Sequence, residues 1–485
     1  MKLKNHDDEN SSSLSPESYY LLALQSLSQI KFIDIKQKQI ECLLRILQSN
    51  GEDITVGWPI LFNIIESACL PQNDKLVVHS FQCYEFIVSN LLRYIPSIHL
   101  IHCINAAVAF GSQVQELNVS LSAVGLVWNV ADFLHSNHDQ IQSLIDNFIL
   151  KGHKFVSIDL PFCEDLTPVQ SLWISLFKNL SNLCTDARLS VRKSSVQTLM
   201  STLSKHGQTL DYNTWKAIFF YILFPLVDSV RTLCSLASNE KITQSESSKP
   251  NSYGDDSDSY MIHYSRNTAF KQWCETQVSV INGVSRIISI KLDMLIEHSM
   301  AKPIQSNNEP NELNNSNNSE TILLNIWTLF FEFIFSSSTC TNEEVSMSAI
   351  KCFNEIVSFL NDYHANNNDA GGDDDYINRL MSLIWKNVWK TWCNIGHHIA
   401  ANNNVFPSST TSENSCFDSE QQQQQRLNNN EETTNFLPSQ SYLCSFIQSL
   451  NIILSKYIHH LTERYVHVAA FFFLIVLIVF NFVKK

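Results

Sequence analysis

The chain has 485 residues and a formal net charge of −14, with only 11 glycines and 12 prolines. So little glycine and proline, with no alternating β-branched runs between tight Asn-Gly or Asp-Gly turns, excludes a doubly wound sheet. The acidic balance, with no stripe of Lys and Arg, excludes a nucleic-acid phosphate backbone as partner, and the 13 scattered cysteines, in no CxxC pair or zinc-like spacing, fit reduced cytosolic thiols and not a disulfide framework.

In chain order, residues 1–17 form a polar leader without the apolar run of a signal peptide. Helical periodicity then predicts helices over 19–30, 36–48, 59–68, 75–92, 98–110, 116–135, 139–150, 169–183, 190–205, 212–235, 265–290, 321–335, 342–360, 376–396 and 439–460. Between them lie Ser-, Asp-, Asn- and Gln-rich tracts whose few large apolar residues cannot offset the entropy of ordering them. The expected organisation is a first solenoid part over 18–240, a disordered loop over 241–264 and a second solenoid part over 265–400 with Asn-rich insertions at 305–320 and 361–375. A disordered Asn/Gln-rich segment over 401–435, a terminal helix over 436–463 and an apolar tail over 464–485 complete it.

The clearest element is a helical hairpin. Leu172, Leu176, Leu180 and Leu183 line one segment, and Val191, Val196, Leu199 and Leu203 the next, across a short polar turn whose Asp186 and Ser190 can cap the second helix. The skeleton Val191, Val196, Leu199 returns as Val119, Val124, Val127, as Val345, Ile350, Phe353 and, more loosely, as Val78, Cys83, Phe86. The first two copies by position lie about one HEAT-type period apart, and the next gap is a little under two. The fold class is therefore all-α, a HEAT/armadillo-like α-solenoid that buries one continuous seam between neighbouring repeats.

Three groups of residues are candidate sites. At the hairpin turn, Asp186, Arg188 and Arg192, with Lys193, read as a ladder in which the arginines pair with Asp186 and with carboxylates of the adjacent repeat; the alternative is a phosphoinositide or protein contact. Trp385, Trp389 and Trp392 recur at i, i+4 and i+7, which makes them a core seam if covered and a partner-binding stripe if exposed. The tail from Val466 through Phe472 and Leu477 to Val483 makes a helix of about 27 Å, near the lower limit for spanning hydrocarbon. It reads as a tail anchor, with a spurious terminal exon and a buried terminal helix as the other readings. The adjacent pairs His397/His398 and His459/His460 each point to two helix faces and do not chelate one metal. No phosphate loop, GxGxxG, HExxH or GxSxG motif occurs, so neither enzyme chemistry, a cofactor nor a small-molecule substrate is expected.

Longer motifs then point to a family. They are TVGWP at 55–59, FQCYEFIVSNLL at 81–92, QELNVSLSAVGLVWNVADF at 115–133, LCTDARLSVRKSSVQTLMSTLSKHG at 183–207, SRNTAFKQWCETQV at 265–278, NEEVSMSAIKCFNEI at 342–356, WKNVWKTWCNIG at 385–396 and FLPSQSYL at 436–443. On these the chain resembles the C-terminal half of the Mon-two homologue family, named for monensin sensitivity and related to the large Arf guanine-nucleotide exchange factors.

The resemblance implies a non-enzymatic scaffold at the cytosolic face of trans-Golgi network and endosome membranes, acting in endosome-to-Golgi retrieval with a Dopey-type protein and a flippase. A regulator that binds an Arf-like GTPase without exchange activity of its own is the alternative it implies, and a nuclear-transport solenoid is disfavoured by the acidic charge. The family's N-terminal helical regions have no counterpart here, so the expectation is a fragment or a shortened product, and the apolar tail is unlike the peripheral family.

Overall fold

The computed structural model describes residues 15–70, 74–152, 155, 166–246, 268–300, 313–367, 374–402, 436 and 438–457. All regular structure among the described residues is helical, and the chain divides into two units, Met1–Leu226 and Val227–Lys485.

In the first unit, α1 (Pro16–Ser26), α3 (Trp58–Ser67), α5 (Leu100–Ser112) and α8 (Pro168–Leu183) stack side by side as one row. A second row consists of α2 (Ile33–Asn50), α4 (Asp74–Phe86), α6 (Leu117–Ser136) and α9 (Leu189–His206). Each helix of one row is joined to a helix of the other as a hairpin, so the core is the seam between the rows. An extra helix, α7 (His138–Leu150), packs against α8 through Ile141 and Ile145, and α10 (Tyr212–Ala217) closes the unit.

The best-built helix is α8. Thr167 accepts the Gln170 amide through Oγ1 at 3.4 Å while the Gln170 side-chain oxygen accepts the Thr167 amide at 2.7 Å, a reciprocal capping box ahead of Pro168. Its residues from Val169 to Phe177 are all buried, with Trp173 stacked on Phe177 at 5.4 Å. One helix thus anchors its own hairpin, the preceding one and α7.

In the second unit, α12 (Ala269–Met300), α14 (Glu343–Asn367) and α16 (Gln440–Tyr457) form one row, and α13 (Leu313–Ser338) and α15 (Asp374–Asn402) the other. The helix α11 (Phe224–Glu246) leads into them, and its Cys234 Sγ lies 3.6 Å from Cys274 Sγ of α12, both buried.

The skeleton positions Val119, Val124, Val127, Val191, Val196, Leu199, Val345, Ile350 and Phe353 are all buried. The loose copy on α4 holds only in part: Cys83 is fully buried, but Val78 is 36% exposed and Phe86 half-buried, while Val77, Phe81 and Tyr84 lie in the core. Helices also run into the expected polar tracts. Pro16 and Glu17 belong to α1, α11 continues to Glu246, α13 starts at Leu313, and α14 continues to Asn367. Asn and Ser are only mildly unfavourable inside a helix, so a packed neighbouring turn can extend through them.

Candidate functional site

The hairpin turn between α8 and α9 is built around Arg188. Its guanidinium grips Asp186 in a two-pronged pair, Nε to Oδ1 and Nη2 to Oδ2, each at 2.9 Å. Asp186 Oδ1 also accepts the Arg188 backbone amide at 2.8 Å, which settles one of the free amides ahead of α9. The cap is therefore made by Asp186; Ser190 lies inside the helix and no side chain caps from the N-cap residue itself.

From that pair Arg188 reaches into the preceding hairpin turn. Nη1 donates to the Gln113 carbonyl at 2.7 Å and to Ser120 Oγ at 3.0 Å, and Nη2 donates to the Gly111 carbonyl at 3.0 Å. These carbonyls sit at the C-terminal end of α5, where unpaired acceptors and the helix dipole favour a cation. Gln113 organises the receiving turn: its side-chain oxygen accepts the Gln115 and Glu116 amides at 2.9 Å each, and its Nε2 donates to the Glu116 carbonyl at 2.6 Å and to Ser120 Oγ at 2.8 Å. Ser120 returns its own proton to the Gln113 carbonyl at 3.1 Å. Leu183 packs over Gly111 so closely that a Cβ there would lie 2.7 Å from Leu183 Cδ1.

The expected pairing with Asp186 is made by Arg188 within its own turn. What Arg188 meets in the preceding repeat is two main-chain carbonyls and a hydroxyl, where a carboxylate was expected. Arg192, 1% exposed, donates from Nη1 to the Asp186 and Ala187 carbonyls at 2.8 Å each and so braces the same turn from below. Burial by itself raises the Asp186 carboxyl, but the Arg188 side-chain and backbone hydrogen bonds with the charges of Arg188 and Arg192 outweigh it and hold the group below its ordinary value. Burial lowers the Arg192 guanidinium, against the pull of Asp186.

A second polar knot fixes the other end of the unit. The Glu17 carboxylate accepts the amides of Thr55 and Gly57 at 3.2 and 2.7 Å and the Thr55 hydroxyl at 3.0 Å, just before α3. Successive amides aimed at one carboxylate at a helix N-terminus form an anion nest. A Cβ on Gly57 would stand 2.2 Å from Leu21 Cδ1 and 2.7 Å from Glu17 Oε1, so a side chain there must displace both of these α1 side chains. Sequence reasoning placed TVGWP among the motifs but missed Glu17, which it left in the leader.

The tryptophans are buried. Trp385, Trp389 and Trp392 are 6%, 8% and 1% exposed, which leaves no stripe for a partner and corrects that reading. Trp392 stacks on Phe446 of α16 at 4.5 Å and 6°, and its Nε1 donates to Ser449 Oγ at 3.0 Å and the Phe446 carbonyl at 3.2 Å. Of the histidine pairs, His398 lies edge-on to Phe335 and near Phe436, and burial lowers it. His459, His460 and the tail residues Val466, Phe472, Leu477 and Val483 lie outside the described residues, as do Cys163 and Cys416. Among the described residues no group of three or more His, Cys, Asp or Glu is arranged to hold a metal ion.

Hairpins stacked in rows within each unit define an all-α protein of the HEAT/armadillo class. Residues 89–301 match the model of the C-terminal region of Mon2 protein, and residues 4–86 that of the Mon2/Sec7/BIG1-like HDS region. The chain is 36% identical over 388 residues to Protein MON2 homolog of Drosophila melanogaster, covering 78% of the chain and 20% of that protein. It is 32% identical over 361 residues to Protein MON2 homolog of Homo sapiens, covering 73% of the chain and 19% of that protein. A more distant likeness, 24% over 213 residues and covering 41% of the chain and 12% of the relative, is to Brefeldin A-inhibited guanine nucleotide-exchange protein 1 of Arabidopsis thaliana. The chain belongs to the Mon2 family and spans about a fifth of the length of the curated relatives it matches. The Arg188 network falls within the first matched region and the Glu17 nest within the second.

Proposed function

We propose that the chain is a non-enzymatic scaffold segment in vesicle-mediated transport, working at the cytosolic face of trans-Golgi network and endosome membranes. Its partners in this reading are a Dopey-type protein and a flippase, engaged in endosome-to-Golgi retrieval. Membership of the Mon2 family supports it, together with the likeness to a guanine-nucleotide exchange protein outside that family. The observation that supports a scaffold best is the Arg188 bridge, because it locks one hairpin turn to the one before and keeps those two repeats in one register. The alternative, a regulator that binds an Arf-like GTPase without exchange activity, rests on the same likeness.

Binding of the purified chain to a Dopey-type protein and to an Arf-like GTPase in each nucleotide state separates the two. Saturable, stoichiometric binding of the Dopey-type protein with unchanged nucleotide exchange is the expected result. Binding that follows the GTPase nucleotide state instead favours the regulator, and no complex with either sinks both. Membrane attachment is read by alkaline extraction of the full chain against one ending at Tyr465; an anchor in 466–483 predicts that only the full chain resists.

A further inference from the structure

Between α12 and α14 of the second unit runs a cleft of about 720 Å³, within the range of sites that hold a ligand. Its walls are one stripe of each helix, with Asn282, Ser285 and Arg286 from α12 and Glu344, Lys351 and Glu355 from α14. Two cations and two carboxylates therefore share one cleft, and among the described residues none of the four is in an ion pair. Ile290, 41% exposed, and Met347 add apolar surface to the lining.

Polar groups in this cleft are incompletely bonded. Asn282 Oδ1 accepts the Ser348 hydroxyl at 2.8 Å and the Cys352 thiol at 3.1 Å, which fixes the carboxamide with its Nδ2 donors unspent. Ser285 is 3% exposed and its Oγ makes no hydrogen bond. The Cys352 sulfur beside it is a strong acceptor only as a thiolate, and burial pushes that thiol up to about 11. A buried hydroxyl without a partner is costly, so Ser285 marks a place where a polar group from a ligand would be accepted.

These features select the occupant. A phosphate-bearing ligand would bring its charge against Glu344 and Glu355. A helix laid on the cleft has its main-chain groups bonded internally and offers nothing to Asn282 and Ser285, whereas an extended peptide presents free amides and carbonyls along its length. Lys351 stands two turns along α14 from Glu344, about 10 Å, which an extended chain covers in about three residues. We propose that this cleft binds an extended peptide segment of a partner protein, with an acidic side chain against Arg286 and Lys351, a basic one about three residues away against Glu344, and its main chain hydrogen-bonded by Asn282 and Ser285. The proposal does not rest on which protein supplies the peptide, and it stands apart from the Dopey-type and GTPase readings.

The test is a positional-scanning library of synthetic peptides on the purified full chain, followed by fluorescence anisotropy with the selected sequence. Selection of Asp or Glu at one position and of Lys or Arg about three away is the expected result. Arg286→Glu with Lys351→Glu should weaken the selected peptide at least about tenfold and turn the acidic preference into a basic one, with Tm unchanged because both side chains are exposed. Ser285→Ala should weaken it about threefold while Tm holds or rises, since the hydroxyl has no partner in the free protein; a purely structural hydroxyl would lower Tm and leave binding alone. Lys390→Glu, exposed on α15, should change neither. A library with no selected sequence, a preference that survives the charge reversal, or binding of phosphoinositide vesicles or an oligonucleotide that is lost with Arg286 and Lys351 would overturn the proposal.

Discussion

Arg188 donates to the carbonyl of Gln113 at 2.7 Å across 75 residues of sequence, and the same guanidinium holds Asp186 two residues away. One side chain therefore closes its own turn and locks it to the turn before. With Asp186 13% and Arg188 23% exposed, this is a shielded, charge-assisted network and not a surface ion pair of negligible worth.

Replacing Arg188 by Ala should cost about 2–4 kcal/mol, because it leaves a shielded carboxylate and two helix-end carbonyls without their donor. Arg188→Lys should recover only a part, since a single ammonium cannot hold Asp186 with two prongs and still reach Gly111. Equilibrium urea unfolding monitored by circular dichroism measures both; an alanine variant within 0.5 kcal/mol of the parent would contradict the bridge.

Acid should weaken the same turn. Asp186 has a folded-state value below its ordinary one, so its stabilisation is present above the ordinary carboxylate range and is lost as pH falls through the folded value. The stability difference between the parent and Asp186→Asn should be constant at neutral pH and shrink below about pH 4.

His99 gives a slope at higher pH. Burial first, and His102 beside it second, lower its imidazole from 6.5 to about 4, so the unfolded chain takes up this proton more readily than the folded one. Stability from this group is present above pH 6.5 and falls as the pH drops from there towards about 4. His99→Gln should flatten that part of the stability curve; an unaltered slope would assign it to other groups.

Trp392→Ala should destabilise the second unit by about 3–5 kcal/mol through the lost stack on Phe446 and the void left behind. Trp392→Phe should cost less, keeping the stack and losing only the indole hydrogen bonds to Ser449 and Phe446. A variant that folds with parental stability but loses a partner would restore the exposed-stripe reading that the burial of these residues argues against.

Glu17→Ala should release α1 without unfolding the unit, because the contact it removes joins only that helix to the amides before α3. Hydrogen exchange should accelerate within Pro16–Ser26 while α8 and α9 keep their protection. Gly57→Ala should produce the same pattern by forcing a methyl against Leu21. Loss of protection throughout α3 to α9 would mean that α1 is integral to the core.

What the sequence made legible follows from what repeats. The Val–Val–Leu skeleton marks the buried faces of α6, α9 and α14 because helical spacing alone determines which side chains share a face. It slips on α4, where Val77 and Val78 are both apolar and only the neighbouring helices choose between them. The spacing of Trp385, Trp389 and Trp392 shows that they share a stripe, but what covers it is Phe446, 54 residues beyond Trp392 and across a tract with no helical pattern. At the turn, Asp186, Arg188 and Arg192 stood out as charged residues. The partners of Arg188 at Gly111 and Gln113 could not, since a backbone oxygen has no letter in the sequence.

That last point has an evolutionary side. A salt-bridge ladder requires two residues to change together, one in each repeat, whereas the Arg188 ladder places nearly all of its chemical information in one turn and draws on the path of the other. Positions around the Gly111 and Gln113 carbonyls are therefore constrained by shape, through the tight contact with Leu183 and the Gln113 brace, and not by charge. Repeats joined in this way can differ in surface character independently of one another, because the joint between the α5–α6 and α8–α9 hairpins asks of the receiving turn little more than two carbonyls in the right places.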